Sequence, residues 1–241
     1  VCRHLAYLGP AAPLRPALFD APHSLQAQAA DARLMVVATH NPDGWGVAWY
    51  PEPGRAPRSR RSTAPLGITD AATFDGVAAA AFVAAVRLAS PGTSLDERNN
   101  APLVAGALAF SLNGFVFVGD RERRLRAAAT ADESAPPPGD ADSHLLFTLA
   151  RRAVADGATP AEALRTVHAA VDPDETMRVN LLLTDGRSVA ATTWRHTLFH
   201  RSTADATTLA SEPLDHDPGW TPFPDRALVE VHPGACSVSD L

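Results

Sequence analysis

The sequence contains no lysine: all 21 of its basic residues are arginine. That absence removes the Walker-type phosphate loop, the strand lysine of protein kinases and the Schiff base of a pyridoxal cofactor. Cysteine is almost missing as well, with only Cys2 and Cys236, near opposite ends. A disulfide scaffold is excluded, and an intracellular chain would keep both thiols reduced. Cys236 reads as a small buried hydrophobe. No apolar run approaches a spanning length, residues 5–14 being broken by Gly9, Pro10 and Pro13, and nothing resembles a cleaved signal. A cytoplasmic protein with no membrane partner is therefore expected. The net charge of −6 offers no basic field to nucleic acid. The one basic run, Arg55 to Arg61, sits among prolines and reads as a solvated loop.

What remains is ordinary globular material, 241 residues that are 46% hydrophobic and 20% charged, enough to bury a sizeable core. β-rich runs at 2–8, 34–39, 46–50, 80–87, 103–110 and 115–118 precede two helices at 143–156 and 160–171. A short helix over 22–32 is entered through His23 and Ser24, and the C-terminal part returns to strands at 177–184, 188–194, 197–201, 207–210 and 227–231. Strands, two central helices and strands again predict a layered α+β domain, not alternating βαβ units. There is no internal repeat. Segments 51–64 and 127–140, rich in proline, read as loop insertions in a single domain spanning 1–241.

Four places carry chemistry. Cys2 becomes the first residue if the initiator is removed, and Val1 is what a GTG start codon looks like when translated literally, so removal before the small Cys2 is expected. A free N-terminal cysteine joins a nucleophilic thiol to an α-amine that titrates near about 7.7–8.0 and can serve as base. Arg87 closes an otherwise apolar strand, either snorkelling to a salt bridge or forming a fork for a substrate carboxylate. Asn113-Gly114 is a hairpin-turn signal, and the same pair can donate two hydrogen bonds to an oxyanion. Asp142 precedes a helix, where it either caps the N-terminus or holds an ammonium group.

In order along the chain, Cys2-Arg3-His4-Leu5-Ala6-Tyr7-Leu8-Gly9, Asn41-Pro42-Asp43-Gly44-Trp45-Gly46-Val47, Arg87-Leu88-Ala89-Ser90, Asn113-Gly114, Asp142-Ser143 and Ser211-Glu212-Pro213-Leu214 resemble the class II glutamine amidotransferases. Each motif is weak, but six in the right order are specific. The resemblance implies an N-terminal-nucleophile hydrolase with a four-layer αββα sandwich that hydrolyses a γ-glutamyl amide through a thioester. It implies that Cys2 is the nucleophile with its own α-amine as base, that Asn113 and the Gly114 N–H form the oxyanion hole, that Arg87 grips the glutamyl α-carboxylate, and that Asp142 binds its α-ammonium. The opening CRHLAYLG, Pro22-His23-Ser24-Leu25 and the DGWGVAWY segment narrow it to a stand-alone hydrolase of a small γ-glutamyl substrate, and the hydrolase domain leaves no length for a synthase in cis. No cofactor is expected. Nor is a metal, since the histidines, including His196, His200 and His216, lack ligand spacing. Two departures stand out: Leu112 where many relatives have histidine, and His144 where others carry an acid, which bears on how Asp142 is supported. A quaternary ammonium on the substrate would seek an aromatic face, and Trp45, Trp194 and Trp220 are the candidates. The alternatives are a glutaminase subunit feeding ammonia to a separate synthase and a non-catalytic relative that only binds. The sequence gives no oligomeric state.

Overall fold

The computed structural model describes residues 2–117, 119–130 and 139–241. Two antiparallel sheets face one another. The first runs β11-β9-β10-β1-β4-β2-β3, built from β1 (Cys2–Pro13), β2 (Trp45–Tyr50), β3 (Arg58–Ser62), β4 (Ala78–Arg87), β9 (Phe199–Ser202), β10 (Thr207–Ala210) and β11 (Thr221–Pro222). The second runs β13-β12-β8-β7-β6-β5, from β5 (Leu103–Ala105), β6 (Leu108–Gly114), β7 (Val179–Thr184), β8 (Val189–Thr192), β12 (Ala227–His232) and β13 (Ala235–Asp240). Helices α2 (Asp120–Thr130), α3 (Asp142–Ala155) and α4 (Pro160–Val171) cover the second sheet, and the six-residue α1 (Leu25–Ala30) with short helical turns covers the first.

The side-chain period of two sorts each strand between layers. Leu5, Val47, Phe82 and Ala84 point outward to α1 and the turns, whereas Ala6, Ala48, Ala81 and Val83 point inward to the other sheet. On the facing sheet Phe110, Leu181 and Leu183 meet the helices, while Ala109, Leu182 and Ala191 fill the middle. Ala6, Ala48 and Ala81 thus belong to the inner layer, where small side chains let the sheets approach. This is the expected four-layer sandwich, all its sheet pairings antiparallel.

Several segments differ from expectation. Residues 34–39 form no strand, because the amides of Arg33 and Leu34 are taken by the Glu212 carboxylate, at 2.8 and 3.1 Å, instead of a ladder. Within the expected loop 51–64, Arg58–Ser62 pairs with β2, and Arg61 donates to the Pro102 carbonyl. The run 103–110 is a hairpin that turns at Gly106 (φ +57°). Residues 115–117 are not a strand, and Val118 lies outside the described residues. Helix α2 takes residues 127–130 from the expected second loop, whose 131–138 also lie outside the described residues. α4 follows its sequence signals: Pro160 in the first turn and a Thr159–Glu162 capping box. Among the described residues no helix is long and apolar enough to cross a membrane.

Candidate active site

β1 pairs with β4 so that Cys2 stands directly opposite Arg87. Opposed residues of an antiparallel ladder send their side chains to the same face, here the inner one, as the alternation from Ala6 and Val83 requires. Across the inter-sheet layer, the same alternation turns Ser111 and Asn113 of β6 toward β1. His4 Nδ1 lies 3.2 Å from Ser111 Oγ, and the Cys2 backbone N donates to Asn113 Oδ1 at 3.1 Å. Cys2, Arg87, Gly114 and Asp142 all line one pocket at this junction of β1, β4, β6 and α3. Both cysteines are free thiols.

Arg87 is buried, and every group that orients its guanidinium is neutral: the Ser94 carbonyl, Thr93 Oγ1 and Asn100 Oδ1. A cation held by neutral acceptors keeps its charge for an anion that enters the pocket. These bonds also fold segment 88–100 beside the pocket. Asp43 steadies the same segment by accepting from the Ala89 amide at 2.8 Å.

Asn113-Gly114 is not a hairpin turn. Both residues lie inside β6, opposite Asn180 and Val179 of β7. Glycine is required at 114 because a Cβ there would come within 2.2 Å of the Arg178 carbonyl oxygen. With its oxygen on the Cys2 nitrogen, the Asn113 amide keeps its nitrogen as donor, one hydrogen of which reaches toward Ser211 Oγ at 3.5 Å.

Asp142 is the first residue of α3, and Ala141, not Asp142, takes the N-cap position. Its carboxylate accepts from the Val116 amide at 2.8 Å and the Ser143 amide at 2.9 Å, tying the segment that follows β6 to the helix start. Burial raises its pKa to about 6, outweighing those two hydrogen bonds, which favour the charged form. His144 does not support it: its ring bonds the Arg98 carbonyl. Leu112 packs into the helix-side core.

Sequence reasoning assigned no role to a buried network under the site. Arg3, wholly buried, sets Nε 2.9 Å from Glu212 Oε1, and His23 Nε2 lies 2.8 Å from Glu212 Oε2. Burial alone would raise the Glu212 carboxyl. His23, the Leu34 and Arg33 amides and Arg3 together hold it below the ordinary glutamate value. The only signal was that Arg3, His23 and Glu212 each fall inside a quoted motif. The tryptophans do not gather here. Trp45 is core beside Phe74, Arg226 lies over Trp194 and Arg201 over Trp220. Among the described residues no group of His, Cys, Asp and Glu is arranged to hold a metal.

The family model for class II glutamine amidotransferases matches residues 23–202. The chain is 35% identical over 245 residues, covering all of both chains, to the γ-glutamyl-hercynylcysteine sulfoxide hydrolase of Mycolicibacterium smegmatis. It is 36% identical to the protein of the same name from Mycobacterium tuberculosis, over 96% of this chain and 93% of that one. Among solved structures it is similar to a glutamine aminotransferase class-II domain protein from Silicibacter pomeroyi, with a TM-score of 0.67, 21% identity and 99% of each chain covered. A second fold likeness, TM-score 0.69 at 14% identity, is to the glutamine phosphoribosylpyrophosphate amidotransferase of B. subtilis, covering 99% of this chain and 49% of that one.

Proposed function

This chain belongs to the class II glutamine amidotransferase family, and we propose from that premise that it hydrolyses γ-glutamyl hercynylcysteine sulfoxide to glutamate and hercynylcysteine sulfoxide. One observation carries the reading: Cys2, Arg87, Gly114 and Asp142 line a single pocket, and Asn113 holds the Cys2 nitrogen. The named relatives, similar along their whole length, supply the substrate.

In this reading Arg87 receives the glutamyl α-carboxylate and Asp142 the α-ammonium, which places the γ-carbonyl carbon against Cys2 Sγ. Once the preceding residue is removed, the Cys2 α-amine takes the thiol proton while its own N–H stays on Asn113 Oδ1. Sulfur adds to the carbonyl carbon, and the developing oxyanion is met by the free hydrogen of the Asn113 amide and the Gly114 N–H. The amine then passes the proton to the departing nitrogen, the C–N bond breaks, and a glutamyl thioester remains. Water, deprotonated by the same amine, adds to the thioester, and the C–S bond breaks to release glutamate and the thiol.

The test is glutamate release by protein whose first residue is verified as Cys2, given glutamine and γ-glutamyl hercynylcysteine sulfoxide in parallel. A higher kcat/KM on the sulfoxide is expected. Preference for glutamine would instead point to a glutaminase that serves a synthase, and no turnover of either to a protein that only binds.

A further inference from the structure

A second pocket, of about 480 Å³, adjoins the first and shares Leu88, Ser90 and Gly114 with it. Gly114 lies on the border between the two, so whatever leaves the γ-carbonyl on the side away from Arg87 and Asp142 enters this space. Its character differs from that of the glutamyl pocket. Met177, Phe115 and Val37 give it an apolar body, and Val37 is 64% exposed on the segment that Glu212 holds by two backbone amides. Set into that body are two side chains with buried polar atoms that find no partner among the described residues. His196 is only 7% exposed, and neither ring nitrogen has a hydrogen-bond partner. Arg178 Nε is likewise buried and unpartnered. An unsatisfied buried donor or acceptor costs on the order of 1–3 kcal/mol, so three such atoms beside one cavity mark where a ligand supplies the missing partners.

We propose that this pocket binds the leaving amine, that Arg178 and His196 receive a carboxylate carried by that amine, and that Phe115 and Met177 hold its apolar body. The chemical class is the γ-glutamyl amide of a bulky α-amino acid. Ammonia, the leaving group of glutamine, fills none of this space and satisfies none of these donors. His196 suits the role because it stays neutral: burial first, then the neighbouring Arg3 and Arg178 charges, lowers its pKa to about 3. It therefore offers one N–H donor without adding a second cation, and Arg178 supplies the charge. The inference rests on the amidohydrolase reading and deepens it.

Two substrates that differ only in the carboxylate test it: γ-glutamyl-S-benzylcysteine and γ-glutamyl-S-benzylcysteamine. The wild-type protein is expected to favour the first by about 10-fold or more in kcat/KM, the range of a charge-assisted hydrogen bond. Arg178→Met brings that ratio close to one by raising KM for the carboxylate substrate, and Arg178→Lys, which keeps the charge, restores part of it. An equal ratio in wild type and Arg178→Met overturns the subsite while leaving the hydrolase reading intact. A wild-type protein that turns over no γ-glutamyl amide overturns both. Independently of how any variant folds, N-acetyl-S-benzylcysteine should inhibit the wild type more tightly than N-acetyl-S-benzylcysteamine. Neither carries an ammonium for Asp142, so equal inhibition by the two also contradicts the assignment.

Discussion

Cys2 and Arg87 are direct partners across the β1–β4 ladder, and both side chains project from the same face into one pocket. A sheet register therefore fixes the distance between the thiol and the group that binds the far end of a glutamyl chain. A slip of one residue would send one of them to the outer core. The site is positioned by the most regular part of the fold, although segment 88–100 completes its wall.

Replacing Arg87 by methionine should raise KM for the γ-glutamyl substrate more than it lowers kcat, because the carboxylate contact exists before the reaction starts. Loss of a hydrogen bond to a charged group is worth about 1.5–3 kcal/mol, so kcat/KM should fall about 10-fold or more. Arg87→Lys recovers only part, lacking the fork that spans Ser94, Thr93 and the substrate at once. Steady-state kinetics decide this, and an unchanged KM would remove Arg87 from the substrate site.

Asp142 should impose an acid limit on binding. Its pKa of about 6 means that it is neutral below that pH and cannot hold an ammonium group, so KM should rise as the pH falls through about 6. The stability effect has the opposite direction. The folded-state value lies above the usual 3.8, so between about pH 4 and 6 the folded chain binds more protons than the unfolded chain. The contribution of Asp142 to stability therefore declines as pH rises through that window. Denaturant titrations at pH 4 and 7 should show this difference between wild type and Asp142→Asn. Identical pH slopes would contradict the assignment.

His4 acts in the other direction. Burial, then Arg3 and His196, depresses its pKa to about 3 from the usual 6.5. Below about pH 6.5 the unfolded chain takes up a proton that the folded chain refuses until about pH 3, so stability is lost as pH falls across that range. His4→Gln should flatten the acid limb of the stability curve, as read by the denaturation midpoint at pH 6.5 and 4. A limb of the same steepness in the variant would show that His4 is not its source.

Glu212→Gln should be among the most damaging single changes away from the pocket. It leaves the buried Arg3 guanidinium without its counter-ion, and breaking a buried pair from one side costs roughly 3–5 kcal/mol. It also weakens the hold on the Arg33 and Leu34 amides. The double variant Arg3→Met with Glu212→Gln should recover part of the loss in thermal melts. A single variant that melts with the wild type would show that the pair contributes little.

The sequence disclosed the layering because β4, β6 and β7 are short apolar runs buried on both faces and helical spacing is clear in α3 and α4. It disclosed the pocket residues Cys2, Arg87, Asn113, Gly114 and Asp142 only as an ordered set of motifs, since each alone reads as well in a structural way. Residues 34–39 misled because their β-branched run has the composition of a strand, while the Glu212 carboxylate that consumes its first amides is 178 residues away along the chain. Asn113-Gly114 misled in the opposite sense. The dipeptide signals a turn, but the glycine is needed for the close approach of the Arg178 carbonyl to a continuing strand. The Arg3–Glu212–His23 network and the second pocket were invisible for a related reason: their members come mostly from loops far apart in the sequence and meet only in the folded chain.

The most direct test of the account is mass spectrometry of the protein, acid-quenched during turnover of a γ-glutamyl substrate, with its first residue verified as Cys2. The account predicts a glutamyl group on the peptide that begins with Cys2, removable by neutral hydroxylamine as a thioester is, and absent from Cys2→Ala. Undiminished glutamate release by Cys2→Ala, or a glutamyl adduct carried by any other residue, would contradict it.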